Sequence, residues 1–94
     1  MTVKIFIKRK VQGQSVVELT LLLKRLRALT LEQPGYISGE TLTRIDRKDE
    51  CMVISTWNSV EDWNSWVNHP KRIEVQNEID RLLGDDTEYA MYSA

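Results

Sequence analysis

The chain has 94 residues, a formal net charge of −1 at pH 7 and an apolar fraction of 41%. This length predicts a single domain over residues 1–94 with a modest core, and the near-zero charge disfavours nucleic acid or a membrane surface as a partner. The single cysteine, Cys51, cannot form an intramolecular disulfide. The first residues have no signal pattern, and the apolar runs are too short to span a bilayer. We therefore expect a cytoplasmic protein.

Alternating side chains near the start of the chain predict a first strand. Val3, Ile5 and Ile7 alternate with other residues, which is the two-residue period of a strand with one apolar face. Phe6 falls on the opposite face, so we expect neither face to be fully exposed to water. Gly13 is predicted to end this segment.

A leucine-rich helix is predicted next. Ser15 and Glu18 have the spacing of a capping box, in which each side chain bonds to the backbone N–H of the other residue. The helix should end between Thr30 and Glu32, before Pro34. The predicted apolar stripe has helical spacing and consists of Leu19, Leu22, Leu23, Leu26 and Leu29 with Thr30.

Six basic residues of this strand and helix raise the question of a nucleic-acid surface. The strand lacks the glycine- and aromatic-rich pattern of an RNA-binding sheet, and the net charge is slightly negative. We therefore interpret them as a solvated surface without a nucleic-acid partner. They are Lys8, Arg9, Lys10, Lys24, Arg25 and Arg27.

Two further strands are predicted on either side of a polar turn. Residues 35–45 carry strand-compatible side chains, and Gly39 among them predicts a bulge or a close backbone approach. Residues 46–50 are charged, which is typical of a solvated hairpin tip. Residues 51–57 are apolar enough to form a central strand that is covered on both faces.

All three tryptophans and the only histidine lie between residues 57 and 69. Ser59 and Asp62 predict the start of a helix with an apolar stripe at Val60, Trp63, Trp66 and Val67. His69 should interrupt that helix because it precedes Pro70, which can itself begin another one. The second helix carries Ile73, Gln76, Ile79, Leu82 and Leu83, should stop at Gly84, and is followed by a short strand over residues 87–93.

This order of elements predicts the ferredoxin-like α+β fold, βαββαβ, with a four-stranded antiparallel sheet in the order 4-1-3-2. The first and third strands are the most apolar, so we place them in the middle and take them to be parallel. Helices can cover only one face of this sheet, yet both faces carry apolar residues. We therefore expect a two-fold homodimer whose sheets pack face to face, with a monomer as the competing case.

Several motifs resemble the antibiotic biosynthesis monooxygenase family. They are the run 34–42, which begins Pro-Gly-Tyr, the run 53–59, which ends Trp-Asn-Ser, Trp63, Trp66 and the pair His69-Pro70. The resemblance implies a dimeric α+β barrel. Some members of the family are cofactor-independent quinol or polyketide-quinone oxygenases, others bind and degrade haem, and many have no known substrate.

The haem-degrading branch uses an Asn on the first strand, a Trp on the helix and a His about ten positions further on. Trp66 matches the Trp, but the His position falls near Gln76, and no Asn precedes Asn58. An amide does not replace imidazole as an iron ligand. Haem binding therefore stays the weakest alternative, and we expect no metal, flavin or other cofactor.

The residues and the resemblance together give a site hypothesis. His69 titrates near neutral pH and would be the catalytic base that takes a proton from a quinol-like aromatic. Trp66 and Trp63 would form an aromatic wall, with Tyr36 and Asn64 as hydrogen-bond partners of the substrate. For the tryptophans core packing is the alternative, and for His69 a helix cap.

Two functions from different classes stay open. The first is a cofactor-independent monooxygenase. The second is a non-catalytic binding or stress-related module on the same dimeric scaffold, in which the tryptophans only build the core. A cavity between the tryptophan helix and the sheet, with a polar group facing into it, would favour the enzyme, and a filled interior would favour the module.

Overall fold

The computed structural model describes residues 2–11, 16–47 and 49–93. Predictions that rest on Gly13 and Ser15 lie outside the described residues. The elements in chain order are β1 (Val3–Lys10), α1 (Val16–Thr30), β2 (Tyr36–Thr43), β3 (Glu50–Trp57), α2 (Val60–Val67), α3 (Pro70–Leu83) and β4 (Glu88–Ser93). None of the described helices is long and apolar enough to cross a membrane.

The four strands form one sheet in the order β2-β3-β1-β4, which confirms the ferredoxin-like prediction. Each neighbouring pair is antiparallel. The expectation that the two central strands are parallel was wrong: β1 and β3 pair antiparallel from Val3 opposite Trp57 to Lys10 opposite Glu50. The helical crossovers join β1 to β2 and β3 to β4, and in each case one strand of opposite direction lies between the joined pair.

The core lies between one face of the sheet and the helices. Val3, Ile5 and Ile7 of β1 point to this side and are buried, as the alternation predicted. They pack with α1 through Leu19 and Leu26. The other buried apolar members are Val75, Ile79, Leu83 and the three tryptophans. Each fully buried aliphatic side chain contributes roughly 1.5–3 kcal/mol of hydrophobic stabilisation, so this cluster holds the layers together.

The helix boundaries around the histidine follow the predicted signals. Ser59 is the N-cap of α2, and its side chain accepts a hydrogen bond from the Asp62 N–H at 3.2 Å. Pro70 is the first residue of α3, and His69 before it has extended backbone. Gly84 ends α3 with a left-handed φ of 70°. These three signals act within one helical turn, which is why sequence predicts them well.

The buried stripe of α3 differs from the predicted one. Ile73 is 42% exposed, whereas Arg72 and Val75 are buried alongside Gln76 and Ile79. Arg72 is accommodated because its guanidinium lies against the rings of Trp63 and Tyr89, 5.2 Å and 5.4 Å from their centroids. The cation–π contacts let a charged residue take a core position that an apolar residue was expected to fill.

Strand β2 is shorter than predicted and contains an irregularity. It ends at Thr43, and Ile45 beyond it is 89% exposed. The shift of register lies between Tyr36 and Ser38 rather than at Gly39. A Cβ at Gly39 would collide with the Tyr36 hydroxyl, so a side chain makes the close approach that this glycine permits.

Candidate functional site

A cavity of about 400 Å³ lies between α1 and the β2–β3 half of the sheet. Its wall includes Leu23 of α1, Thr41 of β2, Val53 and Ser55 of β3, and Trp66 of α2. The predicted cavity was between the tryptophan helix and the sheet, whereas here α1 supplies most of the helical side. The volume falls within the range of small-molecule pockets.

Trp66 and Tyr36 are brought together in the wall of this cavity. Trp66 is 2% exposed, so its indole is held by packing around it. Tyr36 begins β2, and its ring contacts the Trp57 ring edge-on, at 5.3 Å between centroids and 69° between planes. Aromatic rings fixed in this way suit a flat ligand. Both residues therefore line the same cavity.

Trp63 and Asn64 lie outside the cavity wall. Trp63 is buried in the core, with its ring 5.8 Å from Trp57 and 6.0 Å from Tyr89. Asn64 is exposed on α2, where its backbone carbonyl accepts a hydrogen bond from Asn68 Nδ2 at 2.9 Å. Around α2, position 63 lies about 60° and position 64 about 160° from position 66, because successive residues of a helix are 100° apart.

His69 is the N-cap of α3. Its Nδ1 accepts a hydrogen bond from the Lys71 N–H at 3.1 Å. In the neutral ring the proton is therefore on Nε2, which makes that nitrogen a donor. The imidazole centroid lies 5.4 Å from that of Trp66, and His69 itself is not part of the cavity wall. His69 contacts the candidate site through Trp66.

Arg9 is a cavity residue that sequence reasoning missed. It was interpreted as part of a solvated surface, and this was wrong: Arg9 is 1% exposed. The alternation along β1 contained the signal, since Arg9 follows Val3, Ile5 and Ile7 on the face that is buried. Burial lowers the pKa of Arg9 from its ordinary value, although the group stays a cation at neutral pH.

Gln76 links Arg9 to the edge of the sheet. Its Oε1 accepts a hydrogen bond from Arg9 Nη2 at 2.9 Å. Its Nε2 donates to Asp80 Oδ1 and Thr87 Oγ1, both at 2.8 Å. The histidine position of the haem-degrading branch falls near Gln76, and the Gln76 amide is thus fully used in hydrogen bonds inside the protein. It does not fit a role as an axial ligand of haem iron.

Two further polar groups of β3 line the cavity. Ser55 Oγ accepts a hydrogen bond from the Trp57 indole N–H at 2.6 Å. Cys51 lies opposite Arg9 in the sheet, and burial raises the pKa of its thiol, while the positive charge of Arg9 partly opposes this. Within residues 2–11, 16–47 and 49–93, no group of three or more His, Cys, Asp or Glu is arranged to hold a metal ion.

A ferredoxin-like sheet with helices on one face and a tryptophan-walled cavity beneath them defines a class of small α+β proteins that can enclose one ligand. Residues 2–78 match the family model of antibiotic biosynthesis monooxygenases, and the chain belongs to this family. The resemblance inferred from the Pro-Gly and tryptophan motifs is confirmed.

Solved structures share this fold at low identity. A conserved protein from Methanosarcina mazei Go1 is 18% identical, with a TM-score of 0.90 over 98% of this chain and 91% of that one. SnoaB from Streptomyces nogalater, a cofactor-independent oxygenase, is 19% identical, with a TM-score of 0.87 over 99% and 92%. Rv0793 from Mycobacterium tuberculosis is 14% identical, with a TM-score of 0.88 over 100% and 95%. None of the proteins with curated descriptions matches the sequence significantly.

Proposed function

We propose that this protein is a cofactor-independent monooxygenase that oxidises a small, electron-rich aromatic compound of the quinol type. The observation that carries the proposal is the cavity of about 400 Å³ with Trp66 and Tyr36 in its wall. Membership of the monooxygenase family supports the reaction class. The fold shared with SnoaB, a cofactor-independent oxygenase, supports the absence of a cofactor requirement.

The reaction can proceed with substrate and oxygen alone. The bound phenol loses its proton, and the anion passes one electron to O₂. The two radicals combine at a ring carbon that carries hydrogen, which gives a hydroperoxide. Loss of water then leaves a quinone, so one oxygen atom enters the product and the other leaves as water. The substrate supplies all four electrons, and no external reductant is consumed.

The roles of the residues follow from their positions. Trp66 would stack on the aromatic ring, and the Tyr36 hydroxyl is a candidate hydrogen-bond partner for a substrate oxygen. Trp63 and Asn64 stay predictions as ligand contacts, although their positions on α2 are outside the wall. His69 as the base also stays a prediction, and it would require the imidazole to give up its bond to Lys71.

Oxygen uptake with a menadiol-like quinol tests the proposal. We expect the wild type to consume oxygen faster than the uncatalysed reaction under the same conditions. Trp66→Ala should lose most of this excess, because the wall of the cavity collapses or opens. Glu61→Gln, an exposed change on the same helix, is the matched control. No rate above background with any electron-rich quinol or phenol would contradict an oxygenase function.

His69→Ala separates the two possible roles of the histidine. If His69 is the base, its loss should abolish turnover while leaving substrate affinity nearly unchanged. If it is a cap that steadies Trp66, the variant should lose about 1 kcal/mol of stability and retain turnover once substrate is saturating. The pH dependence of turnover gives an independent measurement, since a histidine base should produce an acid limb that the variant lacks.

A non-catalytic binding protein on the same scaffold is the second candidate function. It is favoured by the location of His69, the only imidazole in the chain, as a helix cap outside the cavity wall. In this case quinols or phenols should bind and quench tryptophan fluorescence without any oxygen consumption.

We further propose that two chains associate through the open face, which is the sheet face opposite the helices. Phe6, Met52 and Ile54 are half-buried there, and Phe6 packs edge-on against Tyr92 with 5.1 Å between centroids. Lys8 and Glu88 near this centre form an ion pair at 3.3 Å. An apolar centre with both signs of charge around it suits a second copy of the same face. Light scattering at micromolar concentration should give twice the chain mass.

A further inference from the structure

Arg9 is a buried cation in the wall of the cavity. Its Nη2 donates to the neutral amide of Gln76, and its Nε has no hydrogen-bond partner among the described residues. None of the ion pairs formed within the described part of the chain includes Arg9. Burying a cation is unfavourable unless an anion compensates it, so the site is built to gain stability when an anion enters.

The charged groups around Arg9 offset its positive charge only weakly. Asp80 is the carboxylate that acts on Arg9, and it does so across Gln76 rather than by direct contact. Arg72, on the same helix, is a second buried cation that acts against the charge of Arg9. Tyr89 of β4 and Cys51 of β3 also act on Arg9, and neither is a carboxylate.

The carboxylates that belong to wall residues do not neutralise Arg9. Glu50 forms ion pairs with Lys8 at 3.9 Å and Arg44 at 3.5 Å. Glu40 is opposite Ile54, a position on the open face, and is exposed. The other charged residues of the wall are Lys24 and Arg27 of α1, which add positive charge. The cavity therefore combines an apolar, aromatic lining with a positive potential.

We infer that Arg9 is an anion receptor that binds the ionised phenolic oxygen of an aromatic substrate in this cavity. The inference rests on the proposed function for the choice of an aromatic substrate. Its chemical consequence is that the bound phenol loses its proton more readily than the free phenol. Arg9 would thereby favour the deprotonation that precedes electron transfer to O₂, without an imidazole in the wall.

Ionisation of bound 4-nitrophenol tests this inference, because the phenolate of this probe has its own visible absorption band. The probe is titrated from about pH 5 to pH 9 with wild-type protein in excess, and binding is followed separately by tryptophan fluorescence. The measured quantity is the pH at which half of the 4-nitrophenol is ionised, its titration midpoint. We expect the midpoint of the bound probe to lie at least about one pH unit below that of the free probe, which corresponds to a tenfold preference of the site for the anion. In Arg9→Gln this shift should be lost or reversed.

Two variants make the result specific. Arg9→Lys keeps the positive charge and should retain part of the shift. If Arg9→Gln does not fold, Arg9→Lys takes its place in the titration. Arg81→Gln removes an exposed charge of α3 outside the cavity wall and should leave the midpoint within a few tenths of a unit, because solvent screens that charge. Circular dichroism of each variant establishes that it is folded.

The outcomes separate the inference from the proposed function. Wild-type protein that binds 4-nitrophenol without lowering its midpoint overturns the anion receptor, whatever the variants do, and leaves the oxygenase proposal standing. An equal shift in wild type and folded Arg9→Gln also overturns it. A shift that depends on Arg9, together with no oxygen consumption by any quinol, supports the receptor and contradicts the oxygenase. Failure to bind the probe at millimolar concentration overturns the receptor and the aromatic cavity together.

Discussion

The indole of Trp57 shows how a single residue depends on its partner. This side chain is fully buried at the end of a central strand, and its N–H donates to Ser55 Oγ two positions earlier. A buried donor that loses its acceptor carries its whole desolvation penalty. Ser55 also lines the cavity, so the same contact fixes one part of the wall.

Ser55→Ala should therefore lower the free energy of unfolding by about 1–3 kcal/mol, because it leaves the Trp57 N–H buried without a partner. Urea unfolding followed by circular dichroism measures the loss. Ser38→Ala, at an exposed position on β2, is the control and should stay within about 0.5 kcal/mol of wild type. Equal stability of the two variants would show that the Trp57 bond contributes nothing.

The Cys51 thiol should make stability fall at alkaline pH. Burial raises its pKa in the folded protein above the unfolded value of about 8.5, so the folded state holds the proton more strongly. Its contribution to stability is complete below the unfolded pKa and is lost as pH rises through the folded one. Urea unfolding at a series of pH values should show a shallower alkaline decline in Cys51→Ala than in wild type. Identical declines would contradict this assignment.

At the scale of the elements, two glycines with positive φ lie at the ends of elements, at positions that local chemistry determines. Gly35 precedes β2 with φ of 83°, and Gly84 ends α3 with φ of 70°. A Cβ at Gly84 would meet no atom within 4 Å, whereas a Cβ at Gly35 would overlap the Asp62 carboxyl. That carboxyl accepts a hydrogen bond from Ser59 Oγ at 3.0 Å, so Gly35 packs against the N-terminus of α2.

Comparing Gly84→Ala with Gly35→Ala separates backbone strain from crowding. Gly84→Ala should cost about 1–2 kcal/mol, the penalty of a left-handed conformation for a residue with a Cβ. Gly35→Ala should cost more, because the Asp62 side chain must also move and weaken the cap of α2. Denaturant midpoints measured side by side test the order. A smaller cost at Gly35 would mean that Asp62 rearranges freely.

At the scale of the whole molecule, the helices cover one face of the sheet and leave the other face open. Phe6 lies opposite Ile54 and Ala90 on the two neighbouring strands, so it occupies the middle of that face. If a second copy packs there, removing the apolar centre should abolish the dimer and leave the helix-covered core intact.

Phe6→Lys should convert the proposed dimer to a folded monomer. The melting temperature of the wild type should rise with protein concentration, since association stabilises only the folded state, and that of the variant should be constant. Ile45→Lys, at a position that is 89% exposed beside the hairpin tip, is the control and should behave like wild type. A wild type whose melting temperature is independent of concentration, with the mass of one chain, would contradict the dimer.

The candidate site was only partly predictable from sequence. Trp66 and Tyr36 were identified through their motifs, and both line the cavity. Arg9 was missed because the charge of a side chain was given more weight than its place in the alternation of β1. His69 was predicted to be the base because of its imidazole, but the proline after it determines its position as the cap of α3.

The sequence by itself determined the elements and their order, because alternation, helical spacing, caps and turn residues act over a few neighbouring positions. It also identified the family through short motifs. Only the tertiary structure decided the direction in which β1 and β3 pair, the location of the cavity under α1, and the burial of Arg9 and Arg72. These features depend on contacts such as Arg9 with Gln76, which are 67 positions apart and which no local pattern specifies.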